Sequence, residues 1–154
     1  MLYSMRYINV TRSSARVRGY DYYKSDRVGA ITKIDDHSYS ATVKGSGDNV
    51  YHVVVNELKP RKSSCDCPNA NGRMVICKHL VATYFKAHPD VAEKFNEATI
   101  RATQEEERYY DHLYTKAYEF VEELGEAAVK EMLVHFLIND REFIEEYLLD
   151  DYED

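Results

Sequence analysis

No stretch of this sequence is apolar for long enough to cross a bilayer, and its first residues lack the apolar core of a secretory leader. Both absences predict a soluble, cytoplasmic protein with no membrane partner. Tryptophan is missing, proline occurs three times and glycine six, and there is no internal repeat or low-complexity segment. Cysteine is scarce too. There are three, an odd number, and they lie close together beside a histidine. In a reducing compartment that arrangement points to metal, not to a disulfide framework. The motifs of common catalytic machinery are also absent: no Gly-rich phosphate loop ending in Lys-Ser/Thr, no HExxH, no GxSxG and no CxxC. Carboxylate pairs such as Glu145-Glu146 read as solvated helix faces. The expectation is a protein that is not an enzyme and has no catalytic residues.

The chain has 154 residues, 44% of them hydrophobic, which is enough for one cored domain or a domain with a small appendage. Its net charge of −7 conceals two opposite halves. Up to Lys86 there are 14 basic and 7 acidic side chains; beyond it there are 6 and 20. Halves of opposite sign imply different partners, or each other. The acidic half also reads simply as solvated helix faces.

The hydrophobic period divides the chain in the same way. Residues Met1 to Val10 carry no assignable pattern. Ser13 or Ser14 is placed to cap a helix through Ala15 to Lys24. Gly19 inside that helix costs about 1 kcal/mol against alanine, so it marks a close approach to a neighbour. Three strands follow. The first is near Val28 to Ile34, then a turn at Asp35-Asp36-His37. The second buries Tyr39, Ala41 and Val43 and exposes Ser40, Thr42 and Lys44. Beyond a loop at Gly45 to Asn49, the third buries Tyr51, Val53 and Val55, with Val54 on its other face. Arg61 to Ile76 reads as loop. Leu80, Val81, Tyr84 and Phe85 form the buried stripe of a short helix that ends before Pro89. Further stripes are Leu113, Ala117, Phe120 and Leu124, interrupted by Gly125, then Val129, Met132, Leu133, Phe136 and Leu137. The last is Phe143, Ile144, Tyr147 and Leu148, with Asn139 and Glu142 at capping-box spacing. Asp150 to Asp154 reads as an acidic tail. The predicted fold is α+β: a helix, a small three-stranded antiparallel sheet, a metal loop and a closing helix over residues 1–88, then an acidic helical region over 89–154.

The chemistry concentrates in Cys65-Asp66-Cys67, nine residues, then Cys77-Lys78-His79. A structural zinc takes four nitrogen or sulfur ligands in a tetrahedron, and these four residues supply them. Residues two apart diverge on a helix but converge in a turn. Cys65 and Cys67 are therefore expected at a turn after the sheet, and Cys77 and His79 where the next helix begins. Three thiolates and a neutral imidazole leave about −1 around a divalent ion. The helix N-terminus and nearby Arg61, Lys62, Arg73 and Lys78 offset that charge. Four protein ligands leave no open position for catalysis. The expectation is one structural zinc, with the loop dependent on it for order.

This Cys-x-Cys…Cys-x-His pattern resembles the SWIM-type zinc finger, and the chain looks like a prokaryotic-type, stand-alone member. The resemblance extends over Ala15 to Phe85. Gly19 and Tyr22-Tyr23 match the glycine and tyrosine pair of the helix before the sheet. Tyr51 to Val55 match the strand before the finger, and Cys77 to Ala82 its closing segment. Leu124 to Leu149 look more loosely like helical tails of bacterial members. The resemblance implies zinc binding, and roles in binding DNA or protein beside chromatin-type ATPases, transposases and recombination accessory proteins; no such motor is present here.

Arg61, Lys62, Arg73 and Lys78 are the candidate nucleic-acid contacts, since phosphates require clustered cations. They also read as a scattered solvated surface. Tyr22, Tyr23, Tyr39 and Tyr51 are better placed as core and sheet-packing residues than as stacking platforms. His135 reads as a packed side chain within its stripe, and His52 as an outside support of the metal loop. The leading expectation is a zinc-stabilised DNA-binding accessory. The alternative is a protein-interaction adaptor that docks a partner, or a second copy, on its acidic helices. Glu105-Glu106-Glu107, Glu122-Glu123, Glu145-Glu146 and Asp150-Asp151 are then either that docking surface or a competitor of phosphates for the basic half.

Overall fold

The computed structural model describes residues 4–145. Tyr147, Leu148, Glu146 and the tail Asp150 to Asp154 lie outside the described residues. The order is α1 (Ser4–Asn9), α2 (Ser13–Lys24), β1 (Thr32–Asp35), β2 (Ser38–Lys44), β3 (Val50–Asn56), a 3-10 turn (Pro60–Lys62), β4 (Ser64–Cys65), α3 (Lys78–Ala87), α4 (Pro89–Leu137) and α5 (Arg141–Phe143). The fold is α+β. Two compact units divide after Ile100.

In the first unit the sheet is antiparallel in the order β1-β2-β3-β4, one strand more than the sequence pattern shows. The extra strand is β4, two residues long, where Val53 pairs with Cys65 and Val54 with Ser64. Two residues carry no readable alternation, so this strand falls inside what reads as loop. β1 also begins later than expected. Val28 makes a lone bridge to Val43, and continuous pairing starts only at Thr32 with Ser40. The alternation in β2 is as read: Tyr39, Ala41 and Val43 are buried, while Thr42 and Lys44 are exposed. Val53 and Val55 supply the buried face of β3.

The helices pack over that face. Helix α3 buries every residue from His79 to Phe85. It lies so close to α2 that a Cβ on Gly19 would fall 2.5 Å from Val81 Cβ and 3.1 Å from the Lys78 carbonyl oxygen. The glycine thus sets the approach of the two helices. Neither Ser13 nor Ser14 caps α2: Arg12 is the N-cap residue, in extended geometry and with no side-chain bond to the helix, and Ser13 is already helical. Helix α1 joins the same core. Tyr7 and Ile8 are fully buried, Tyr7 stacks on Tyr84 at 4.6 Å and 9°, and its hydroxyl donates to Ser63 Oγ at 3.1 Å. Pro89 starts α4, and His88 before it leaves helical geometry at φ −131° and ψ 74°. The first turns of α4 still belong to this core. Val91 and Ala92 are buried, and Phe95 stacks against Phe85 at 5.3 Å and Tyr20 at 5.7 Å.

The second unit is helical. Gly125 interrupts α4 with φ 73° and ψ 162°, a conformation open essentially to glycine alone. The stripes read from the sequence lie on these helices but are only partly covered among the described residues: Leu124, Val129 and Leu137 are half-buried, while Leu113, Met132 and Leu133 are exposed, as are Phe120 at 53% and Phe136 at 67%. His135 is likewise exposed, since no element among the described residues covers its face of the helix. The cap of α5 is Asp140, not Asn139. Its carboxylate accepts from the Glu142 and Phe143 amides. Asn139 still belongs to the turn that ends α4, where its side-chain amide donates to the His135 carbonyl at 2.7 Å. No helix among the described residues is long and apolar enough to cross a membrane.

Candidate metal centre

Three elements converge on one point. Cys65 comes from β4, Cys67 opens the turn after it, and Cys77 and His79 bracket the start of α3, with Cys77 as its N-cap residue. Cys65 therefore sits in the sheet itself, one strand earlier than a turn after the sheet would place it. The turn is closed by bonds from the Ala70 and Asn71 amides to the Cys67 carbonyl, at 3.0 and 2.9 Å. All four residues are buried, and their ligand atoms lie within 4.8 Å of one another. His79 Nδ1 stands 3.7 Å from Cys65 Sγ and 3.9 Å from Cys77 Sγ. Zinc bonds of about 2.3 Å to sulfur and about 2.0 Å to nitrogen make tetrahedral edges of about 3.5–3.8 Å, so the separations of Nδ1 from the Cys65 and Cys77 sulfurs are already close to the edges of such a site.

The electrostatics need a cation. Cys77 is pushed down to about 4, chiefly by the hydrogen bond from Cys65 and then by His79, against the effect of burial. Cys65 is pushed far up by that same bond and by burial. Cys67 is raised by burial and by the Cys77 charge. Three buried thiols cannot all ionise side by side unless a positive ion neutralises them, and zinc binding requires all three as thiolates. The Cys3His set is able to bind one zinc ion.

Support around the ligands comes from packing and from one clamp. His79 turns Nδ1 toward the thiols, and its Nε2 is buried without a hydrogen bond among the described residues. A ligating histidine ordinarily donates from its second nitrogen to a carboxylate or carbonyl. Here the ring is held between Tyr51 at 4.6 Å and the edge of Tyr22 at 5.3 Å instead. Asp66, between the first two cysteines, is gripped twice by His52: the backbone amide donates to Oδ1 at 2.9 Å, and Nδ1 lies 3.1 Å from Oδ2. His52 thus braces the cysteine turn from outside and is not a ligand.

Residues 51–88 match the SWIM zinc finger family. The chain carries a SWIM zinc finger. No curated protein and no solved structure matches the chain.

Around the SWIM finger the four candidate nucleic-acid contacts come from three successive parts of the chain. Arg61 and Lys62 are exposed on the 3-10 turn and Arg73 on the cysteine loop. Lys78 holds its ammonium over the Tyr22 ring at 4.3 Å, with the Arg27 guanidinium 4.8 Å from the same ring. Burial raises the Tyr22 phenol, but the bonds from Lys78 and Ser46 and the Lys78 and Arg27 charges prevail and lower it. Tyr39 is buried, while Tyr22, Tyr23 and Tyr51 pack half-buried against the core. One pairing had no sequence signal: His88, the last residue of the SWIM match, bonds through Nε2 to Glu57 Oε1. The two lie far apart in the chain, and only the sheet brings them together.

Proposed function

We propose that the SWIM finger is a nucleic-acid-binding module, with DNA as the first candidate, and that it acts by positioning basic side chains without carrying out chemistry. The observation that carries this reading is a surface of unpaired cations. From Arg12 to Lys86, only Lys33 and Lys86 reach a carboxylate among the described residues. Unpaired cations on a rigid, zinc-held scaffold suit a polyanion, whose condensed counterions they release. Lys62 and Arg73 flank the cysteine turn, and Lys78 with Arg27 forms a second basic point on Tyr22 at the start of α3.

The test is anisotropy of labelled single- and double-stranded oligonucleotides with the zinc-loaded chain at two salt concentrations, repeated with a chain shortened after Ile100. Binding that weakens with a log–log salt slope near −0.9 per phosphate engaged, and that strengthens in the short chain, supports a finger restrained by its acidic helices. No binding by either form at low salt removes the proposal.

The second reading is a protein-interaction adaptor. It is favoured by exposed aromatic and apolar side chains on both sides of Gly125, among them Tyr109, Tyr114, Phe120, Met132 and Val134, interleaved with glutamates. Exposed apolar side chains grouped on a helix mark interaction surfaces.

A further inference from the structure

Beside the cysteine turn, three segments distant in sequence form a groove of about 480 Å3. The link between α1 and α2 contributes Val10 and Arg12, the link after β3 contributes Leu58, Lys59 and Arg61, and the strand of chain leading into α3 contributes Met74. Val10 is 58% exposed, Leu58 43% and Met74 77%. Three large apolar side chains thus stand open around one depression of the size that takes a bulky group. Its lining includes three cations and no carboxylate. None of the three makes an ion pair among the described residues.

The geometry points to this groove as a docking site for an acidic peptide segment of a partner protein, one bulky apolar side chain seated among Val10, Leu58 and Met74 and flanking carboxylates on Arg12, Lys59 and Arg61. This goes beyond nucleic-acid binding by the finger. Charge complementarity selects the partner: a basic segment would meet three like charges, and an uncharged one would leave three cations at the mouth unanswered. The lining separates a peptide from a nucleobase. It contains no aromatic ring, so a base would find no stacking surface, whereas an aliphatic or aromatic side chain gains by leaving water. The chemistry matches the general pattern of an apolar anchor in a pocket with a charged rim.

The experiment is selection from a phage-displayed random dodecapeptide library on the zinc-loaded full chain, followed by anisotropy with the enriched peptides. The expected result is enrichment of sequences with Leu, Ile, Phe or Met next to Asp or Glu. Their affinity should fall about tenfold or more in Leu58→Asp and in Arg61→Glu. It should be unchanged in Lys62→Glu, which lies outside the groove lining. Leu58 and Arg61 are exposed, and unchanged zinc content and circular dichroism establish that the variants fold. No enrichment, enrichment of basic or purely polar sequences, or indifference to Leu58→Asp overturns the proposal. So does an oligonucleotide that displaces the peptides and itself loses affinity in Leu58→Asp, because the groove would then serve nucleic acid. Loss of oligonucleotide binding in Lys62→Glu or Lys78→Glu with peptide binding intact would bear only on the nucleic-acid reading.

Discussion

Gly19 and Val81 meet where α2 crosses α3, so close that a β-carbon on the glycine would sit 2.5 Å from the valine's own. Neither backbone can yield without disturbing α3, which carries His79 on its first turn. Gly19→Ala should therefore lower stability by about 1–3 kcal/mol, although alanine favours the helix by about 1 kcal/mol. Pairing it with Val81→Gly, which removes the opposing β-carbon, should recover part of the loss relative to the sum of the single variants, and a thermal double-mutant cycle measures the coupling. Additive effects would mean that the two helices are free to separate.

Zinc content provides a second test. Metal analysis of the purified protein should find one zinc per chain. Cys77→Ser should abolish it, because only three of the four ligands of the tetrahedral set then remain. Structural zinc contributes about 10–16 kcal/mol of apparent free energy in finger peptides, comparable with or above the about 5–15 kcal/mol of a whole domain. Chelation should therefore unfold the cysteine turn and β4 and lower the melting temperature sharply. Retained hydrogen-exchange protection at Ser64 and Cys65 after chelation would argue against that coupling.

Alkaline pH should reveal the buried phenols. Burial holds Tyr7, Tyr39 and Tyr84 well above the usual tyrosine range, with the Glu57 charge adding to the last two. A raised folded value stabilises the protein fully below the ordinary value near 10 and less as pH rises past it, because the unfolded chain gives up its protons first. Absorbance at 295 nm should show fewer than the 14 tyrosines ionising near pH 10. The rest should ionise only together with loss of circular dichroism. Smooth ionisation of all 14 with the fold intact would contradict the burial of these rings.

Gly125→Ala tests the break in α4. Alanine does not adopt φ 73° and ψ 162° without strain of about 1–3 kcal/mol, and it favours helix by about 1 kcal/mol. The substitution should join the two helical stretches and raise ellipticity at 222 nm in magnitude. Unchanged ellipticity would show that the surroundings, not the glycine, set the break.

What the sequence disclosed follows from how locally each feature is encoded. The four ligands are confined to Cys65 through His79, so spacing alone revealed them. Gly19 stood out because a glycine inside a helical pattern needs a reason. Tyr7 was silent: six helical residues show no period, and their partner Tyr84 lies far along the chain. The same holds for Glu57 with His88, and for Val10, Leu58 and Met74, which only the folded chain brings together. Stripes such as Leu113 to Leu124 identified a helix correctly, but periodicity says which residues share a face and not whether anything covers it. The cap of α5 was misplaced by one residue because Asn139 and Asp140 are both good caps, and the end of α4 decides between them.

Strand β4 has only two residues, but it covers one side of β3, whose sequence from Val50 to Asn56 includes four valines. Its place there is fixed by Cys65, a metal ligand. A cell short of zinc would therefore do more than lose a finger. It would uncover a β-branched strand edge ready to pair with the same edge of another molecule. A zinc ion held through Cys65 would thus also keep this strand edge paired.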